Sequence, residues 1–255
     1  MVEICAVVPV YNHERAVAGT TASLRGLGLT VLLVDDGSGP DCAAELRRLA
    51  AEDPAIRLVR LPVNRGKGAA VKAGLLTAAQ AGFTHALQID ADGQHDAADV
   101  PRFVATALIE PRALICGRPV FDATIPRHRL YLRYLTHAMV WLNTLSLDIP
   151  DSMCGLRVYP LAVVLPVIEA EPPGDRMDFD VEVLVRLHWN GVAMCWLPTR
   201  VGYPLDGISH FRLLRDNWLI TLMHTRLFFG MLRRAPLLLA RRVRAAFNAQ
   251  PGVTT

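Results

Sequence analysis

Leu87-Gln88-Ile89-Asp90-Ala91-Asp92-Gly93-Gln94-His95 decides how this 255-residue chain is read. The mostly apolar run Ala86 to Ile89 predicts a buried strand. Two carboxylates one residue apart follow, then a glycine. In extended chain, residues i and i+2 project to the same side, so Asp90 and Asp92 can face one cation from a strand end. Open α/β sheets collect ligands beyond the carboxyl ends of their strands. Two hard oxygens with room for water and phosphates suit Mg²⁺ or Mn²⁺. A solvated Asp-rich turn with Gly93 at its corner is the competing reading, and the flanking sequence has to decide between them.

Working outward, the pattern repeats. Ile4 to Val10 predicts a first buried strand, ended by Pro9, with Tyr11-Asn12-His13-Glu14 as the loop and a helix from Glu14 to Leu27. Thr30 to Val34 predicts a second strand that stops at Asp35-Asp36-Gly37-Ser38, and Asp41 to Glu52 a second helix. Ile56 to Leu61 is the next strand. Asn64-Arg65-Gly66-Lys67-Gly68 then opens a helix that runs to Ala81. Strands alternating with helices of this length indicate βαβ units and a parallel sheet. Right-handed crossovers put all four strand ends on one edge. Tyr11-Asn12, Asp35-Asp36, Asn64 to Lys67 and Asp90 to Asp92 should therefore converge. The Asn64 to Gly68 loop has glycines for close backbone approach and a lysine for phosphate charge. It matches neither the Walker nor the dinucleotide-binding glycine spacing.

Val8-Pro9-Val10-Tyr11-Asn12 with Glu14, Val34-Asp35-Asp36-Gly37-Ser38, Asn64-Arg65-Gly66-Lys67-Gly68 and Asp90-Ala91-Asp92-Gly93-Gln94-His95 together resemble the motif series of family 2 glycosyltransferases. The nearest branch is the dolichyl- or polyprenyl-phosphate sugar synthases. The likeness continues through Cys116-Gly117-Arg118, Asp151 to Tyr159 and Phe179-Asp180-Val181-Glu182. It implies the GT-A fold: an α/β domain with a mostly parallel central sheet flanked by helices. It also implies an inverting transfer from a nucleotide-sugar, linked to UDP or GDP, to a lipid acceptor at the membrane surface. Pro9, Tyr11, Asn12, Glu14, Asp35 and Asp36 would line the nucleoside pocket, with Asn64 and Lys67 closing over it. Asp90, Asp92 and Gln94 would hold Mg²⁺ or Mn²⁺ against the diphosphate. Arg118 and Arg133 would meet an acceptor phosphate, Arg129 competing with Arg133, and Asp180 would face the reaction centre. His210 stands where these synthases tend to carry lysine, which weakens the lipid-phosphate assignment there.

The second half reads less sharply. Leu114 to Gly117 predicts a strand, and Arg127 to about Leu147 a long helix whose apolar residues surround most of its circumference. Either a core helix or an interfacial one lying in a bilayer fits. Met177 to Asn190 predicts a helix, whose early acids could be caps favoured by the dipole. Val192 to Leu197 predicts a strand. Phe211 to Phe247 is a basic, aromatic-bearing helical tract interrupted at Pro236. The expected division is residues 1–210 as a catalytic domain, split near 95 into nucleotide and acceptor halves, and 211–255 as a basic tail.

Composition bounds the rest. The formal net charge is +3, but no acid follows Asp216 while Arg226, Arg233, Arg234, Arg241, Arg242 and Arg244 do. Such a tail suits an anionic membrane surface. Nucleic acid is the other candidate, but neither helix-turn-helix nor zinc spacing supports it. Five scattered cysteines without a CxxC pair suggest reduced core thiols rather than a disulfide framework. No signal peptide is evident, and the uncharged run Tyr134 to Leu147 is too short to span a bilayer. The expectation is a cytoplasmic enzyme, peripheral on the inner face of the membrane, of unknown oligomeric state. A hydroxyl acceptor, for which Asp180 would be the base, and a non-catalytic nucleotide-sugar-binding module are the alternatives.

Overall fold

The computed structural model describes residues 2–121, 127–202 and 213–248. The first half runs β1 (Ile4–Val10), α1 (Glu14–Gly26), β2 (Thr30–Asp35), α2 (Pro40–Glu52), β3 (Ile56–Arg60), α3 (Lys67–Gln80) and β4 (His85–Gln88). Each boundary lies within a residue or two of the sequence reading. The second half adds α4 (Val100–Ile109), β5 (Leu114–Phe121), α5 (Arg127–Thr144), β6 (Arg157–Pro160), α6 (Leu161–Ala170), α7 (Phe179–Trp189), β7 (Met194–Val201) and α8 (Leu213–Asn248). Helices α4 and α6 were not anticipated from the sequence.

The strands form one seven-stranded sheet in the order β3-β2-β1-β4-β6-β5-β7. All neighbours are parallel except across β6, which runs antiparallel to both β4 and β5. The strands carry continuous apolar runs because helices cover both faces. Along β1, Cys5 and Val7 join one core with α3, α6, α7 and α8 residues such as Leu75, Val164, Leu184 and Leu227. Ala6, Val8 and Val10 join the other core with Val17, Leu46 and Phe103 of α1, α2 and α4. The two-residue alternation of the strand therefore sorts its side chains between two layers.

Three local expectations need correction. Strand β1 continues through Pro9 to Val10. A proline lacks a ladder donor, but β1 pairs with β4 only as far as Val7 opposite Gln88, so Pro9 has a partner on one side alone. Helix α5 stops at Thr144, followed by Leu145 with φ of 50°, not at Leu147. Helix α8 passes through Pro236 without a break as a continuous 36-residue helix. Its buried residues Met223, Leu227, Met231 and Leu238 hold it to the core. All five cysteines are free.

Candidate active site

The carboxyl ends of β1, β2 and β4 and the N-terminus of α3 meet at one edge. Asp36 follows β2 and is buried. Its two oxygens accept the backbone amides of Arg65 and Gly66, both at 2.8 Å. Burial raises its pKa, and those two amides and the Arg176 guanidinium oppose the rise. Gly66 holds φ of 114°, a conformation costly for any residue with a Cβ, and it turns the loop so that both amides point at Asp36. Asp35 is fully buried, accepts the Ser38 amide at 2.8 Å and has Arg60 at 3.4 Å.

Asn12 sits at φ of 53°, a conformation asparagine tolerates better than most residues. Its amide donates to the Ser38 hydroxyl and its side-chain oxygen accepts the Gly39 amide at 2.8 Å. The β1 and β2 loops are thus tied together. Pro9 is buried within β1, while Tyr11 and Glu14, the first residue of α1, are half-buried beside that tie. The Asn64 side-chain oxygen accepts from Arg176 at 3.2 Å.

Lys67 opens α3 and its ammonium joins the two halves of the site. It lies 2.8 and 2.9 Å from the two Asp90 oxygens and 2.8 Å from Asp180. Burial alone would lower the lysine pKa, but Asp180 and Asp90 outweigh it and the pKa is raised. Burial works to raise the Asp90 pKa, but Lys67, with His95 and Arg157, outweighs it and holds the carboxyl below its ordinary value. Asp92 is less well served. Burial and then the neighbouring Asp90 charge raise its pKa, and its best partner is the Gln94 amide at 3.0 Å. His95, with a buried side chain, stands 4.0 Å from Asp90. Gly155 packs its backbone against the Asp90 carboxylate so closely that a Cβ there would overlap it.

Asp180, at the start of α7, is held from three sides. Besides Lys67 it accepts from Gln88 at 3.3 Å and faces Arg157 at 3.6 Å. Arg157 is 1% exposed and bonds the Ser152 carbonyl at 2.9 Å and the Tyr159 hydroxyl at 3.4 Å. Tyr159 in turn donates to Gln88 at 2.9 Å. Arg157, Gln88, Tyr159, Arg176 and His95 are the neighbours that sequence reading did not assign to the site. A polar Gln88 inside an apolar strand was the available signal.

Other expected residues fall elsewhere. Glu182 shares the Phe179 to Glu182 motif with Asp180 but turns away from it. It is fully buried and pairs with Arg186 and Arg226, both at 2.7 Å. Arg133 pairs with Asp151 at 2.7 Å, and His137 approaches the same carboxylate at 3.4 Å. Asp151 also accepts the Met153 and Cys154 amides. Arg118 is exposed on β5, next to Gly117, whose amide reaches the Leu156 carbonyl at 2.9 Å. Gln94 bonds through its backbone, to Asp92 and to the Gly202 amide. Arg129 and His210 lie outside the described residues or side chains.

The donor set fits a divalent cation of the oxygen-binding kind. Two carboxylates leave one turn, and Asp92 lies buried beside the Asp90 charge, burial first and that charge second raising its pKa. Among the described residues no group of three or more His, Cys, Asp or Glu is arranged to hold an ion. An ion on Asp90 and Asp92 would therefore complete its shell with water and ligand phosphates, the usual habit of Mg²⁺.

The sequence profile of Glycosyl transferase family 2 matches residues 5–164, which contain β1 from its second residue, β2 to β6 and the Asp36, Lys67 and Asp90 loops. The chain belongs to this family. It is 31% identical over 169 residues to the dolichyl-phosphate beta-glucosyltransferase of Dictyostelium discoideum, covering 60% of this chain and 49% of that protein. It therefore spans about half that relative's length. It is 25% identical over 188 residues to the undecaprenyl-phosphate mannosyltransferase of Micrococcus luteus, covering 69% and 75% of the two. Glucosyl-3-phosphoglycerate synthase of Mycobacterium tuberculosis, solved with Mn²⁺ and UDP-glucose, superposes with a TM-score of 0.64 over 91% of this chain and 78% of that one, at 17% identity. That likeness shows a shared fold, the GT-A fold expected from the motifs. Among the described residues, no helix of this family 2 chain is long and apolar enough to cross a membrane.

Proposed function

We propose that this family 2 chain is an inverting transferase. It moves a sugar from a nucleoside diphosphate to the phosphate of a polyprenyl phosphate at the inner membrane surface. The observation that carries this reading is Lys67, bonded at once to Asp90 on the donor side and Asp180 on the acceptor side. Asp35, Asp36 and the β1 loop would take the nucleoside, and Asn64 with Arg176 would close over it. Asp90 and Asp92 would hold Mg²⁺ or Mn²⁺, which when bound offsets the charge growing on the departing diphosphate.

A phosphate acceptor, with its second pKa near 6, is already mostly anionic at neutral pH. It attacks the anomeric carbon opposite the leaving diphosphate without surrendering a proton. Asp180 suits that chemistry better than a base role. Its oxygens are already engaged by Lys67, Gln88 and Arg157, so taking a proton would break one of those bonds. Arg118 and Arg133 would position the acceptor phosphate, Arg133 after leaving Asp151. The relatives acting on dolichyl and undecaprenyl phosphate support this acceptor.

Incubation of the purified chain with radiolabelled UDP- and GDP-sugars, undecaprenyl phosphate and Mn²⁺ tests the reading. It expects label in the lipid phase, and in the Asp180→Asn variant as well. Label only on a hydroxyl acceptor, abolished by Asp180→Asn, would replace the lipid-phosphate reading with the base-catalysed one.

A further inference from the structure

We infer that Lys67 is the built-in counter-cation of the site, and that its displacement couples cation binding at Asp90 to nucleoside diphosphate binding. The inference deepens the proposed function and rests on its donor site. One ammonium lies within 2.9 Å of both Asp90 oxygens and 2.8 Å from Asp180. It is fixed at the first residue of α3, so its reach is limited to the side-chain stem. The loop just before it gives the Arg65 and Gly66 amides to Asp36, so the lysine and the nucleoside pocket sit on one short segment.

Two cations cannot both neutralise Asp90 at contact distance without repelling each other. A divalent ion entering alone must therefore push Lys67 off Asp90 and leave the ammonium with Asp180 only. A diphosphate arriving with the ion removes that penalty, because its oxygens accept the released ammonium. Cation and nucleotide then each strengthen the binding of the other, by the same factor in both directions. Asp180 keeps the ammonium within reach throughout. The arrangement disfavours the bare ion and favours the ion delivered with its diphosphate.

The test measures Mn²⁺ binding by calorimetry, alone and with UDP or GDP, in the wild type and in Lys67→Met. Lys72→Met serves as a control. It removes the same charge from the same helix, where Lys72 pairs with Asp175. The inference expects Lys67→Met to bind Mn²⁺ alone about ten-fold more tightly than wild type or more. Lys72→Met should match wild type within about two-fold, and the nucleotide should strengthen Mn²⁺ binding less in Lys67→Met than in wild type. Lys67→Gln, which retains a hydrogen-bond donor without the charge, should move the same way if Lys67→Met does not fold. An unchanged or weaker Mn²⁺ affinity in the folded Lys67 variants overturns the inference, and so does an equal gain in Lys72→Met. If wild type binds no Mn²⁺ even with either nucleotide, the metal reading itself fails and takes this inference with it.

Discussion

The sides proposed to take the donor and the acceptor differ in how far backbone, rather than side chains, holds their carboxylates. On the donor side Asp36 is gripped by two backbone amides, Arg65 and Gly66, and the β1 and β2 loops are tied through Asn12, Ser38 and Gly39. Backbone donors cannot swing away, so that pocket is set before any ligand arrives. On the acceptor side Asp151 gives one oxygen to the Met153 and Cys154 amides and the other to the Arg133 and His137 side chains, and Asp180 is met by the side chains of Lys67, Gln88 and Arg157. Side-chain cations can exchange partners. On the proposed assignment, the contrast means that the nucleoside pocket is held largely by backbone, while the groups facing the acceptor keep side-chain cations that can trade one anion for another.

The sharpest break in that comparison is Gly155→Ala. Its Cβ would press on the Asp90 carboxylate from the acceptor loop. Displacing a reacting group by about an ångström costs on the order of 10²-fold in rate. Transfer should fall by that much in steady-state assays while the melting temperature hardly moves. Unchanged turnover would show that the acceptor loop does not set Asp90.

Asp36→Ala probes the rigid side. It leaves two amides without their acceptor, at about 1–3 kcal/mol for a buried one. A melting-temperature drop of roughly 2–12 °C is expected for a chain of this size, together with a raised KM for the nucleotide-sugar. Arg133→Gln probes the exchangeable side. It should raise the KM for lipid phosphate about ten-fold, the loss of roughly one charged hydrogen bond, and leave the nucleotide-sugar KM unchanged. A rise in both would mean that the two sides are not separable.

A smaller effect belongs to the α5–α8 contact, where buried His224 bonds Asn143 at 3.2 Å. Burial lowers its pKa to about 4, below the ordinary value near 6.5. Between those values the unfolded chain binds the proton and the folded one does not, so stability is complete above about pH 6.5 and falls as the pH drops toward 4. Melting curves of His224→Asn should lose that part of the acid sensitivity, and a slope equal to wild type would remove His224 from the account.

The sequence carried much of the donor side because each element there is local. An apolar run ends in an acid or a glycine-rich loop, and a short crossover returns the chain to the same edge. The acceptor side is built from long-range contacts that periodicity does not encode. β6 enters the sheet antiparallel between β4 and β5, yet its four buried residues look no different from a parallel strand. Glu182 reads as Asp180's companion, and only the packing of α8 reveals Arg226 as its partner. Arg157 sits inside the Asp151 to Tyr159 stretch of the family likeness and proves to be the buried link between Ser152, Tyr159 and Asp180. Arg133 was legible as a cation, but its engagement with Asp151 was not.

The most direct test is cation-dependent sugar transfer by Asp90→Ala and Asp92→Ala, each shown to be folded, with the active nucleotide-sugar and saturating Mn²⁺. The proposed role for these two acids at the departing diphosphate predicts a loss of about 10²–10³-fold or more in kcat for each. Transfer within a few-fold of wild type in either variant would contradict it.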